Sequence, residues 1–588
     1  MIKKLLFLFC IGMPIIVSSQ IAFTNTSALL VNETVTSGCA IGVTDMNNDG
    51  RDDIIRFDNA NSLEIEFQNE DGSFTLTTVS GTGGSKWGFS IADVDENGYN
   101  DVFAGGAFNG LYLVTGSDDG SGGVNYSSDE VTGPGIFLQN INFVDINNDG
   151  SIDIFACHDV GLSTPYENDG SGVFTHEASL IVAASPDPDD DDSGNYGSIW
   201  LDYDNDGDQD LYISKCRIGI NEPTDGRRTN LLFQNDGNNN FTEVALTAGL
   251  RPFAQSWSAA FEDIDNDGDL DCVLINHDMT NQIYENNGNG TFTDITACSG
   301  VASQLNKGGA GIQVIMEDFD NDTFIDIFIT SRYTSSKHVL LKNNGNKTFS
   351  EMVGAVSAGS LSVQSAAVGD LNNDGFIDVL AGFATSYNSP SDNADRLYLN
   401  DGNSNNWVKV RLEGVTSNIN GIGARIELYT SLGKQIREVR SGESYGTMNS
   451  LETHFGIATE TVITKIVVKW PSGLVDEFTG AELISLSGND NNTSHLISEG
   501  SNPLSTDVFE VSGFNIYPNP AKDMITVSTK LTAGIKINIY DITGKLVISN
   551  KDTFTNETNL DISALTSGVY FIHLTSGNNK YVHKLIKE

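Results

Sequence analysis

Short runs of alternating apolar and polar residues fill most of the chain, and polar loops of two kinds separate them. The runs SAAFED (Ser258 to Asp263) and CVLIN (Cys272 to Asn276) flank an acidic loop and read as strand, loop, strand. Further on, IYENNGNGTFTDI (Ile283 to Ile295) places an Asn-Gly turn between two short alternating runs, a strong hairpin signal. YENDGSGVFTH (Tyr166 to His176), LFQNDGNNNFTEV (Leu232 to Val244) and LLKNNGNKTFSEM (Leu340 to Met352) repeat it. Each unit therefore predicts four strands. The first two flank the acidic loop and the last two flank the Asn-Gly turn.

The acidic loop occurs seven times, with successive starts 48, 52, 57, 61, 55 and 52 residues apart. Positions 1, 3, 5 and 9 are Asp45, Asn47, Asp49 and Asp53 in the first copy, and Asp93, Asp95, Asn97 and Asp101 in the second. They are Asp145, Asn147, Asp149 and Asp153 in the third, and Asp202, Asp204, Asp206 and Asp210 in the fourth. The last three copies carry Asp263, Asp265, Asp267 and Asp271; Asp318, Asp320, Asp322 and Asp326; and Asp370, Asn372, Asp374 and Asp378. Position 6 is Gly in six copies and Thr323 in the sixth. A tight loop of this kind supplies the oxygen ligands that a hard cation such as Ca²⁺ takes, and glycine allows the sharp turn. The expectation is up to seven structural Ca²⁺ ions. EF-hands are excluded, because position 12 is Arg56 in the first copy and Ile213 in the fourth, and the flanks are strands. Thr323 predicts a strained sixth loop that stays occupied with weaker affinity.

Four-stranded units at a fixed period predict an all-β, seven-bladed β-propeller over residues 20–404. The last unit has a third strand, RLYLNDG (Arg396 to Gly402), and no fourth. Ile21 to Ser27 reads as that missing strand, closing the ring and removing two open sheet edges.

These repeats resemble FG-GAP/VCBS propeller repeats. WVKVRLEG (Trp407 to Gly414), SNINGIGARIELY (Ser417 to Tyr429), REVRSGESYGTMNSLETHFGI (Arg437 to Ile457) and KIVVKWPSG (Lys465 to Gly473) resemble the ASPIC/UnbV domain. The pairing is that of the cartilage acidic protein 1 family, and it implies a small β domain over 405–486. FNIYPNPAKDMITV (Phe514 to Val527), IKINIYDITGKLV (Ile535 to Val547) and the stretch from Ala564 to Glu588 resemble the type A sorting domain of type IX secretion. That resemblance implies a C-terminal β-sandwich at 513–588, behind a polar linker at 487–512. It also implies the type IX machinery as a partner.

Residues 1–19 read as a signal peptide, with Lys3 and Lys4 before an apolar stretch too short to be a membrane span. No other stretch approaches a span, so a secreted or surface-attached chain with no transmembrane segment after cleavage is expected. The net charge of −47 excludes a nucleic-acid partner, which needs a basic surface. Ligand positions 1, 3, 5 and 9 hold 24 Asp, so seven divalent ions still leave the chain strongly acidic. Beyond the signal, Cys39, Cys157, Cys216, Cys272 and Cys298 are odd in number, and no disulfide is assigned.

Ligand candidates lie on the face opposite the acidic loops, where binding residues tend to sit. Trp87, Tyr196 and Trp257 stand at the mouths of innermost strands, and Lys215, Arg217, His277 and Arg332 lie just past second strands. Together they suit an anionic or sugar ligand. No nucleophile, zinc or phosphate motif is present. The leading expectation is an extracellular binding or adhesion module for glycan or protein. The alternatives are a polysaccharide lyase or hydrolase using Lys215, Arg217, His277 or Arg332, and a passive surface scaffold.

Overall fold

Each acidic loop joins the first of four antiparallel strands of a sheet to the next strand outward. The computed structural model of the chain describes residues 21–186, 191–386, 389–480, 482–483, 492–502, 514–517, 521–529, 535–541, 545–554, 557–576 and 579–587. The predicted signal peptide lies outside these residues, as do parts of the predicted linker. The described residues fall into two units, one ending at Leu504 and one starting at Ser505.

In the first unit, seven such sheets stand around an axis. Their innermost strands are Ile41–Thr44, Gly88–Ala92, Leu138–Val144, Asn195–Leu201, Ser256–Glu262, Gly311–Glu317 and Ser365–Gly369. Successive innermost strands pack on one another from the second sheet to the seventh, and the seventh packs on the first. The seventh sheet is completed from the other end of the chain. Phe23–Asn25 pairs antiparallel with Arg396–Asn400, as the missing strand predicted, with Thr24 opposite Leu399. Phe23 is buried there, edge-on to Phe319 at 5.8 Å.

A second domain follows. Thr453–Ala458, Asn406–Glu413 and Thr493–Ser498 form one sheet; Gly433–Glu438, Arg425–Thr430, Lys465–Lys469 and Val475–Thr479 form the other. Their apolar faces share a core that includes Val408, Ile426, Phe455, Val468 and Trp470. Thr493–Ser498 runs parallel to Asn406–Glu413, inside the stretch predicted as linker. The correction has a simple cause: TSHLIS is too polar to stand out, because only His495 and Ile497 face inward.

The segment from Val439 to Ser450 leaves this domain and fills the axis between the seven sheets. Thr447–Met448 pairs parallel with Ile41–Gly42 and wedges between the first and second sheets. Phe143 N–H donates to Ser441 O (3.2 Å), Gln313 Nε2 to Tyr445 O (2.6 Å) and Val368 N–H to Asn449 Oδ1 (3.1 Å). Tyr445 Oη donates to Gln139 Oε1 at 2.7 Å, and its ring meets Tyr196 and Trp257 of the fourth and fifth sheets. The innermost strands carry buried Gln139, Asn140, Asn142 and Gln313. Such groups are costly without partners, and the inserted backbone and side chains supply them. The axis is therefore filled, and the mouths of the innermost strands at Tyr196 and Trp257 face the inserted Tyr445.

The second unit is a two-sheet sandwich described by itself. Phe514–Tyr517, Met524–Thr529 and Glu557–Asp561 form one sheet; Leu546–Phe554, Ile535–Asp541, Gly568–Ser576 and Asn579–Lys587 form the other. Its core includes Ile525, Val527, Ile537, Leu560, Ile572 and Leu585.

The insertion predicts a large effect of one ring. Tyr445→Ala removes a fully buried side chain and its hydrogen bond, at a cost of about 3–5 kcal/mol by analogy with buried aromatic truncations. Guanidinium unfolding of the mature chain should show a clearly lower midpoint; an unchanged midpoint contradicts the packing role.

Candidate metal centres and ligand face

All seven acidic loops share one hydrogen-bond frame. The position-1 carboxylate accepts from the N–H groups of positions 5 and 6, as in Asp45 with Asp49 and Gly50 at 3.1 and 2.7 Å. The same pair recurs at Asp93, Asp145, Asp202, Asp263, Asp318 and Asp370. The position-9 carboxylate staples two elements. Asp53 accepts from Met46 N–H at the loop's start and from Gln68 N–H on the third strand, both at 2.8 Å. Asp101, Asp153, Asp210, Asp271, Asp326 and Asp378 do the same.

Two backbone positions per loop are left-handed. Position 6 has φ between +82° and +100° in every copy, including +87° at Thr323, so the predicted strain is present there. Position 4 is left-handed too, at Asn48, Glu96, Asn148, Asn205, Asn266, Asn321 and Asn373. Asn tolerates that conformation better than most residues, and its recurrence in six loops was a legible signal.

The donor set fits a hard cation. Carboxylate oxygens of Asp93, Asp95 and Asp101 lie within 4.8 Å of one another. So do those of Asp202, Asp204 and Asp206, of Asp263, Asp265 and Asp271, and of Asp318, Asp320 and Asp326. In the first, third and seventh loops Asn47, Asn147 and Asn372 replace the position-3 acid. Asp95 Oδ1, Asp204 Oδ1 and Asp320 Oδ1, all at position 3, are buried without a hydrogen-bond partner. An unpartnered buried carboxylate oxygen is costly, and a cation would satisfy it.

Burial, with like charges beside it, raises these acids. Asp93, Asp145 and Asp263 are pushed up to about 6, Asp153 and Asp202 to about 7, Asp101 to about 8, and Asp210 and Asp271 to about 9. The protein without metal thus holds protons that its unfolded chain releases near pH 4.

Lysine, arginine and histidine side chains of the second domain sit on the same loops. Lys409 Nζ reaches Asp370 Oδ2 (3.1 Å) and Asn373 Oδ1 (3.0 Å). Arg411 Nη1 reaches Asp45 Oδ2 (3.0 Å) and Asn48 Oδ1 (3.2 Å). Arg425 donates to Asn205 Oδ1 and Gly268 O, and His454 Nε2 to Asn321 Oδ1 (2.7 Å). Four position-4 asparagines are thus docking groups. Gly375 also permits close approach, because any Cβ there would overlap the Trp407 ring.

Residues 45–104, 202–274, 263–329 and 318–381 match the FG-GAP-like repeat; 414–485 match ASPIC and UnbV; and 515–588 match the secretion system C-terminal sorting domain. This chain is an FG-GAP-repeat protein with an ASPIC/UnbV domain and a secretion sorting tail. Cartilage acidic protein 1 of Mus musculus is 27% identical over 256 residues, 42% of this chain and 38% of that protein. The Homo sapiens protein is 26% identical over 256 residues, 42% and 37%. Ulvan lyase NLR42 of Nonlabens ulvanivorans is 36% identical over 90 residues, 15% and 16%. The chain therefore spans less than two-fifths of the length of the cartilage acidic proteins it matches. Among solved structures, the BP39L lectin from Burkholderia pseudomallei aligns over 62% of this chain and 96% of its own, at 12% identity and a TM-score of 0.43. An Agrocybe aegerita lectin aligns over 54% and 81%, at 17% identity and 0.38. The sorting tail marks the FG-GAP-repeat protein for type IX secretion to the cell surface or outside. Among the described residues, no helix is long and apolar enough to cross a membrane.

On the opposite face, the seven predicted ligand residues separate. Tyr196, Trp257 and His277 come together, with Trp257 stacked on His277 at 4.4 Å. Tyr196, Trp257 and Lys215 are buried, the aromatics against Tyr445, so these three are corrected from ligand-facing to packing positions. Trp87, half-buried, meets Phe137 edge-on at 5.0 Å. Arg217 pairs with Asp159 at 2.7 Å, and Arg332 donates to Gly309 O and lies over the Tyr333 ring. Cys216 Sγ lies 3.9 Å from His277 Nδ1, but burial pushes the thiol up to about 12 and the imidazole down to about 3. Both are neutral, so they form no thiolate–imidazolium pair. Among the described residues, all five cysteines are free.

The raised acids predict a pH dependence with a definite sign. Without metal, the folded chain binds more protons than the unfolded chain between about pH 4 and 9, so its stability falls as pH rises through that window. Melts of metal-stripped protein should show Tm dropping from pH 5 to pH 8. Millimolar Ca²⁺ should raise Tm more at pH 8 than at pH 5. A stripped-protein Tm that rises over this range contradicts the assignment.

Proposed function

We propose that this exported FG-GAP-repeat protein is a Ca²⁺-stabilised binding or adhesion module whose partner, an extracellular glycan or protein, meets the face opposite the metal loops. One observation carries the reading. Among the described residues of the first unit, the ASPIC/UnbV domain docks on the acidic-loop face and fills the axis, so the opposite loops are the face this domain does not occupy. Those loops display exposed Phe108, Ile218, Met279 and Tyr333 beside half-buried Trp87, Arg217, His277 and Arg332. Phe108 and Phe253 also hold left-handed backbones, φ +55° and +57°. Strain of that kind in bulky residues tends to mark functional loops.

The metal belongs to the same reading. Seven loops with one frame, and buried position-3 oxygens without partners at Asp95 and Asp204, support structural Ca²⁺. Such ions stabilise the fold by about 2.7 kcal/mol per site at a hundredfold excess over Kd.

The test is a glycan and matrix-protein binding screen of the mature chain with and without chelator. Retention in Ca²⁺ is expected, weakened about tenfold or more by Phe108→Ala with Tyr333→Ala, since aromatic anchors carry much of an interface's energy. Binding that ignores both substitutions contradicts the chosen face. New reducing ends or unsaturated uronate absorbance in the same screen would instead support a polysaccharide lyase or hydrolase.

A further inference from the structure

We propose that the sixth acidic loop holds no metal, because the ammonium of Lys342 takes the cation's place there. The inference rests on the reading of the other loops as metal sites. Lys342 is the third-strand residue just before Asn343, whose N–H is stapled to Asp326. Its Nζ bonds Asp320 Oδ2 and, at 2.6 Å, Asp322 Oδ2, the position-3 and position-5 acids of the loop.

The placement follows from the repeat. In the third repeat, Asn147 Nδ2 donates to Glu167 Oε1 at 3.5 Å. In the fourth, Gln234 Nε2 donates to Asp204 Oδ2 at 2.5 Å. Glu167 and Gln234 occupy the position of Lys342, so that side chain is aimed at position 3 of its loop. The remaining equivalents are Phe67, Thr115, Glu285 and Leu399, which leaves the sixth repeat alone in having a base there. The same repeat alone replaces the position-6 glycine, and Thr323 sits at φ +87°. One repeat in seven has thus lost the residue that makes the turn easy and gained a cation of its own.

Lys347 makes a useful contrast. It reaches Asp265 of the fifth loop from the sixth sheet's turn, shares itself with Glu285 and is 37% exposed. A metal entering the fifth loop can displace it into solvent. The Lys342 side chain is 8% exposed and has no comparable exit. A divalent ion bound to Asp320 and Asp322 at ordinary distances of about 2.4 Å would lie against that ammonium, and the like charges repel. The pocket itself is intact: Asp318, Asp320 and Asp326 remain clustered, and Asp320 Oδ1 has no partner.

Native mass spectrometry of the mature chain, loaded with Ca²⁺ and desalted, counts bound ions. Lys342→Met is expected to carry one more ion than the wild type. Asp322→Asn, made in the wild type, is expected to leave the count unchanged and covers the case in which Lys342→Met does not fold. Seven ions on the wild type, an unchanged count in Lys342→Met, or one ion lost in Asp322→Asn would overturn the proposal. A wild type that binds no Ca²⁺ overturns the metal reading along with it.

Discussion

Carboxylates buried at the ends of the innermost strands are the constraint on which the rest of this molecule depends. The position-1 and position-9 acids cannot move out to solvent, because each is bonded to the backbone that defines its loop and, at position 9, to the third strand as well. Removing them would undo the sheet junctions, and keeping them demands neutralisation. The chain meets that demand by three routes on one face: a donor set suited to a hard cation, basic residues of the ASPIC/UnbV domain at Asp45 and Asp370, and Lys342 inside the sixth loop.

The same constraint explains why the propeller and its second domain form one unit. Lys409, Arg411, Arg425 and His454 are spread over both sheets of that domain, and each lands on a different acidic loop or pair of loops. The segment between Val439 and Ser450 then runs down an axis lined by amides and hydroxyls. A propeller without it would leave Gln139, Asn140, Asn142 and Gln313 to water in a narrow channel. Insertion replaces that water with fixed partners and buries Tyr445 among Tyr196 and Trp257.

Much of this was legible in the sequence because it is local and repeated. The acidic loops, the Asn-Gly hairpins and the orphan strand at Ile21 to Ser27 each follow from residues a few positions apart, and closure follows from counting strands. The strain at Thr323 was legible for the same reason. What escaped depends on residues far apart in sequence. Nothing near Asn321 announces His454, and nothing near Tyr196 or Trp257 announces Tyr445. Aromatics at strand mouths therefore read as ligand-facing when they pack on the inserted segment. Thr493–Ser498 escaped because one buried turn of alternation cannot be told from linker. Lys342 needed both alignment of the repeats and sight of which way its side chain points.

The central claim is that cations, placed loop by loop, hold the acidic face together. An anomalous difference map from crystals of the mature chain grown in Ca²⁺ tests it most directly. The account predicts peaks among the carboxylates of the metal-bearing loops and none beside Lys342 in the sixth. A map with no peaks at any of the loops, from crystals in which the propeller and the inserted segment are intact, would contradict it.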